Sequence, residues 1–136
     1  MYLALAPDVV IGEWSRHVAP DQPMTAWRLT LGDLRVVDLR RPAVAEALFL
    51  PEEPTWILDR GRTQSLAAMI RGGLPVDGLI VPSVAFLDRP EAANLVIWLD
   101  RREDVRTLVR SRRPLGGWTW SDGAGRGEAG RAPECA

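Results

Sequence analysis

The chain contains no lysine: all 17 of its basic residues are arginine. Schiff-base chemistry and a phosphate loop built around Lys are therefore excluded. Cysteine occurs once, at Cys135 beside the C-terminal residue, so no internal disulfide can form and the chain does not read as a secreted scaffold. Histidine also occurs once, at His17. One His and one terminal Cys cannot supply the three or four ligands of a zinc site, so no metal is expected. No apolar run approaches the roughly 20 residues that a membrane span needs. The opening MYLALAPDVVIGEW has no basic segment and carries Asp8 within its apolar stretch, which is unlike a signal peptide. A cytoplasmic protein without membrane association is expected. A surplus of one charge is missing too, since 18 acidic residues give a net charge of −1. That balance argues against a dedicated binder of nucleic acid.

What is present suits one domain. The chain has 136 residues, 46% of them hydrophobic, enough to bury a single core. Tyr2 to Ala6 reads as a strand stopped at Pro7. Asp8 is placed to cap a helix over Val9–Arg16, but Val9, Val10, Ile11 and Gly12 are weak helix formers, and propensity leaves that segment open. Met24–Leu31 and Leu34–Leu39 read as strands joined by a Gly32-Asp33 hairpin turn. Pro42 suits the first position of a short helix over Ala43–Leu48. A longer helix starts at Asp59 or Thr63 and runs to Arg71, with Gly72 as its stop. Asp77-Gly78 turns the chain into Leu79-Ile80-Val81, a run of the buried-strand type, and Pro82 leaves Ser83 at its mouth. Asn94 precedes a strand over Leu95–Leu99. Strands and helices mix without steady alternation, which favours an α+β fold. Residues 121–136 have no large apolar side chain and read as a disordered tail behind a domain over 1–120.

Several residue groups suggest chemistry. Gly125, Gly127 and Gly130 match a dinucleotide-binding spacing, but too few residues follow for the helix that the motif requires. Arg102, Arg106 and Arg110, flanked by Arg101, Arg112 and Arg113, could meet phosphates, although a solvated helix face explains them as well. His17 could act as a base, or simply be exposed in a polar turn. Trp118 and Trp120 alternate as on a strand, and read first as core cover. Glu13 is an acid embedded between Ile11 and Trp14, and Ser83 is a hydroxyl directly after a buried strand. Each could line a cleft.

Four segments together resemble the RES domain, whose members are NAD-consuming toxins of bacterial toxin–antitoxin pairs. MYLALAPDVVIGEW resembles the family's Tyr-containing strand and Glu-bearing helix, and LRVVDLRRP its strand ending in Asp-Leu. RTQSLAAMIRGGLPVDGLIVPS resembles the Gln-bearing helix and Pro-Ser signature, and NLVIWL the Asn-led final strand. The resemblance implies a small split β-sheet with flanking helices, similar to ADP-ribosyltransferases, around a cleft in which NAD is substrate and no cofactor is needed. It implies Glu13 and Ser83 as catalytic residues, with Tyr2 and Ser83 against the dinucleotide. The family's Arg, which neutralises the NAD phosphates, precedes the Tyr strand at which this chain begins. A start placed too late, an inactive remnant that only binds an antitoxin, or substitution by Arg16, Arg28 or Arg40 would each account for this. With the Arg supplied, the implied activity is NAD glycohydrolysis, phosphorolysis or ADP-ribosyl transfer. The implied partners are NAD and a cognate antitoxin, with no direct nucleic-acid contact. A homo-oligomer is left open.

Overall fold

The computed structural model describes residues 1–17, 23–101 and 105–119. The tail over 121–136, with its glycine motif, lies outside the described residues, as do Arg102 and Trp120. Among the described residues, six strands and four α-helices follow one another in the order β1 (Tyr2–Ala4), α1 (Pro7–Ser15), β2 (Pro23–Leu31), β3 (Val36–Asp38), α2 (Pro42–Ala47), α3 (Arg60–Gly73), β4 (Gly78–Pro82), β5 (Ala93–Ile97), α4 (Val105–Leu108) and β6 (Val109–Thr119). Four strands form one sheet in the order β1-β5-β4-β3, while β2 and β6 form a separate antiparallel ribbon. The α+β class and the split sheet are as the sequence implied.

The four-stranded sheet is buried on both faces. Leu79 belongs with Leu39, Trp56, Leu66 and Ile70 in the cluster beneath α3, and Val81 packs against it. Ile80, between them, packs with Leu95, Ile97 and Leu108 in the second cluster. Alternate side chains of β4 thus enter different cores, which is why LIV reads as a continuous apolar run. Gly78 is required where β4 meets β5, since a Cβ there would collide with the Val96 carbonyl. Asp59 caps α3, its Oδ1 accepting from the Arg62 N–H at 3.0 Å. The helix runs through Gly72 to Gly73 and ends at an extended Leu74, so Gly72 is not its stop.

Three local expectations change, and one segment that propensity left open is decided. The α1 segment is helical despite its composition: Pro7 occupies the first turn, Ala6 is the extended residue before it, and Val9 is fully buried. Tertiary burial outweighs the modest propensity deficit of Val, Ile and Gly. Asp8 does not cap this helix. It lies in the first turn, where the helix dipole favours a carboxylate, and pairs with Arg89 at 2.6 Å.

The Gly32-Asp33 hairpin does not form. Gly32 N–H donates to the Leu108 carbonyl at 2.8 Å, extending the β2–β6 ladder, and the chain then leaves for the other sheet. There β3 lies parallel to β4, fastened by reciprocal bonds between Arg35 and Asp77 of 2.8 and 2.7 Å. Two strands adjacent in sequence are separated because Leu34 and Val36 bury against the Leu95–Ile97–Leu108 cluster. The arginine-rich stretch is not one helical face either: α4 covers only Val105–Leu108, and Arg110, Arg112 and Arg113 fall on β6, exposed.

Candidate functional site

Helix α1 carries Glu13 toward the point where β4 ends and β5 begins. Val81 pairs with Asn94 and Pro82 with Ala93, so the residue after the strand, Ser83, is delivered beside the start of β5. Ser83 N–H donates to the Ala92 carbonyl at 2.9 Å, which fixes the turn. Ser83 Oγ then donates to Glu13 Oε1 at 2.6 Å, and Asn94 Nδ2 donates to the same oxygen at 2.8 Å. The Ala85 N–H donates to Ser83 Oγ at 3.2 Å, so the hydroxyl is oriented as well as close. Ser83 and Asn94 are both fully buried. Two buried neutral donors on one oxygen hold the carboxylate in place, and Oε2 has no partner among the described residues.

Four contacts aim α1 along a single face. Asp8 meets Arg89, Gly12 lies against Phe86, Glu13 meets Ser83 and Asn94, and Arg16 Nη1 donates to the Val84 carbonyl at 2.9 Å. Glycine gives the close approach here, because a Cβ would overlap the Phe86 ring unless the ring shifted. The glycine that looked unfavourable for a helix is what lets the helix approach the 83–86 turn.

Glu13 opens onto a cleft of about 700 Å³ whose walls include Tyr2, Trp14, Arg16, Thr25, Trp27 and Asn94. That size is within the range of small-molecule and cofactor sites. The cleft lies where β1 and α1 face the β2–β6 ribbon. Tyr2, opposite Val96 on the edge strand, is half-exposed at its rim. Burial first, and then the Glu13 carboxylate, push its phenol up from 10.0 to about 12, while Arg16 acts in the opposite sense. Tyr2 therefore remains a neutral hydrogen-bond donor throughout the physiological range.

Of the residues singled out in the sequence, Glu13, Ser83 and Tyr2 come together. Ser83 does not itself line the cleft; its hydroxyl is taken up by Glu13. His17 is exposed on the cleft wall, its backbone N–H donating to the Trp14 carbonyl. Trp118 is on β6 opposite Met24. Among the arginines, Arg40 is held by Asp38 at 2.9 Å and Arg28 lines an adjoining cavity, whereas Arg16 lines the cleft. Sequence reasoning did not count Asn94 as a site residue. The available signal was an amide leading an otherwise apolar strand: a fully buried Asn needs a partner, and here it is the carboxylate.

The profile of the RES domain matches residues 1–121 of this chain. The chain belongs to the RES domain family. At family level this places it with NAD-related, ADP-ribosyltransferase-like components of toxin–antitoxin systems. Partial similarity also occurs to organic cation/carnitine transporter 2: 29% identity over 85 residues in the human protein, and 30% over 64 residues in the mouse protein. The matches cover 62% and 47% of this chain but only 15% and 11% of those proteins. Among the described residues no helix is long and apolar enough to cross a membrane, and the transport named there remains a statement about those proteins. No solved structure matches the chain.

Proposed function

We propose that this RES domain is a toxin that cleaves NAD at the bond between nicotinamide and ribose, in the cytoplasm, and that a cognate antitoxin neutralises it. The observation that carries the reading is the Glu13 carboxylate on a cleft of about 700 Å³, fastened through Oε1 by Ser83 and Asn94 and with no partner for Oε2 among the described residues.

The chemistry follows from the charge balance. As the C1′–N bond breaks, nicotinamide leaves as a neutral molecule with the electron pair of that bond. The ribose becomes oxocarbenium-like, as in glycoside hydrolysis. A neutral leaving group needs no general acid, so one carboxylate suffices. Glu13 Oε2 accepts from the ribose hydroxyls and faces the positive charge as it grows, an interaction stronger in the transition state than in the ground state. Ser83 and Asn94 are positioning residues that hold the carboxylate before substrate arrives. Tyr2 packs against a ring of the dinucleotide with its hydroxyl available as a donor. The ribosyl centre is then captured by water, phosphate or a protein side chain.

The test is an NAD measurement in cells expressing the chain or Glu13→Gln, which keeps the shape and one acceptor oxygen. The wild type depletes NAD and the variant does not. Equal NAD in the two cultures overturns the reading.

A further inference from the structure

We infer that this chain forms a two-fold dimer in which Phe49 of each copy enters an apolar groove of the other. Phe49 is the most exposed large hydrophobic side chain among the described residues, at 88%. Apolar side chains exposed singly are ordinary on a protein surface, but this one also carries a backbone cost. Its φ is 54°, in the left-handed region that glycine normally fills at the end of a helix. There the Phe49 N–H donates to the Glu46 carbonyl at 3.0 Å and the Leu50 N–H to the Ala45 carbonyl at 2.9 Å, closing α2. Leu48 and Leu50, on either side, pack against the core beneath α3, while Phe49 turns outward. Neither the strain nor the exposure serves the fold of a single chain. Burial of the ring in a partner accounts for both.

The groove lies beside it. Its volume is about 430 Å³, with room for a phenyl ring, and the core residues Leu39 and Trp56 form part of its lining. Five prolines stand in its walls, from Pro42 to Pro90. They fix the backbone and offer no N–H, so the groove is preformed and little ordering opposes its filling. Glu46 and Leu50, which flank Phe49 in sequence, also line it, so the protrusion and the groove share one face. A protrusion next to the hole it fits is what an isologous two-fold contact requires. Charge points to a second copy as the occupant. The two arginines of the groove wall are taken: Arg40 pairs with Asp38 at 2.9 Å, and Arg89 with Asp8 at 2.6 Å and Glu91 at 3.0 Å. Glu46 and Glu52, in the same wall, pair with no cation among the described residues. Arg62 is their complement. Its Nη2 donates to the Phe49 carbonyl at 3.3 Å, and its guanidinium pairs with no carboxylate among the described residues. Arg62 therefore accompanies Phe49, and the two-fold contact sets it against Glu46 and Glu52 of the other copy. The groove shares no lining residue with the Glu13 cleft, so the dimer stands apart from the reading of that cleft.

The test is the mass of the full chain in solution, read by sedimentation equilibrium across a dilution series. The wild type passes from dimer to monomer on dilution. Phe49→Gly weakens the dimer roughly 10- to 30-fold, the loss of one aromatic anchor from an interface. The same change relieves the backbone at position 49, so the urea midpoint of the monomeric variant equals or exceeds that of the monomeric wild type. That comparison separates loss of the contact from loss of the fold. Arg62→Glu, in the first turn of α3 where an acid is tolerated, also weakens the dimer, through repulsion by Glu46 and Glu52. Adding Glu46→Arg and Glu52→Arg to that chain restores it. A wild type that is monomeric throughout overturns the inference, even where another protein binds the groove. So does a dimer that Phe49→Gly and Arg62→Glu leave unchanged, because its contact then lies on a different surface. A Phe49→Gly monomer with a lowered midpoint overturns it as well, since the ring would then serve the fold.

Discussion

Replacing Gly12 by Ala tests whether the fit of α1 against the 83–86 turn aims the carboxylate. In an exposed helix this change is favourable by about 1 kcal/mol, because glycine loses more backbone entropy on ordering. Gly72 provides that reference within the same chain: it lies in α3 and a Cβ there meets nothing within 4 Å. At Gly12 the added methyl overlaps Phe86 Cε2 and Cζ and lies 3.3 Å from the Ala85 Cβ. Moving the Phe86 ring disturbs its stacking with Arg89 at 4.7 Å, on a residue whose backbone N–H is tied to the Ser83 carbonyl at 3.2 Å. Overpacking of this kind costs about 1–3 kcal/mol. Set against the propensity gain, Gly12→Ala destabilises by about 0–2 kcal/mol, whereas Gly72→Ala stabilises by up to about 1 kcal/mol.

Urea unfolding reads both changes from the midpoint at constant slope. The functional effect is larger than the loss of stability. Relief of the clash lifts α1 from the turn, and the 2.6 Å bond from Ser83 to Glu13 lengthens with it. NAD consumption should fall by at least about 10-fold while the domain stays folded. Phe86→Ala should restore part of both losses to Gly12→Ala, a coupling that a double-mutant cycle measures. A Gly12→Ala protein as stabilised as Gly72→Ala, with full activity, refutes the reasoning.

Asn94→Asp sets a second carboxylate against Glu13 at a fully buried position, and should cost about 3–5 kcal/mol at neutral pH. An unchanged melting temperature would count against the bond. Burial pushes the Asp38 carboxyl up, but the hydrogen bonds and charge of Arg40 outweigh it and leave the group below its ordinary 3.8. A lowered folded-state pKa means that the stabilisation is complete above the unfolded value and is lost as pH falls through the folded one. The stability gap between wild type and Asp38→Asn should therefore narrow from neutral pH to about pH 3, and a gap that does not change contradicts the pairing. Tyr2 is the chain's only tyrosine, so its phenolate can be followed by ultraviolet absorbance. With a folded pKa of about 12 against 10.0, its contribution is intact below pH 10 and disappears as pH rises toward 12. Glu13→Gln should lower that midpoint only in part, because burial is the larger cause; a midpoint at 10.0 in the wild type removes the contact.

Local features were legible wherever a residue's conformational preference had no strong competitor. Asp59 starts α3, Pro42 opens α2, and Pro82 ends β4 with Ser83 beyond it, because caps and prolines act on their immediate neighbours. The order of Tyr, Glu and Pro-Ser segments likewise pointed to the family, and to Tyr2 and Glu13 on one cleft with Ser83 bonded behind Glu13. Composition alone excluded lysine chemistry and an internal disulfide.

Long-range contacts settled everything else. Whether Val9–Arg16 is a helix depended on burying Val9 and on a glycine that fits beneath Phe86, neither of which propensity can weigh. The Gly32-Asp33 pair looked like a hairpin, yet β2 found its partner in β6, some eighty residues away in sequence. Asn94 became part of the site only when the chain had folded. The two bonds that hold Glu13 span 70 and 81 residues, and contacts of that range leave no periodicity or spacing in a linear sequence to be read.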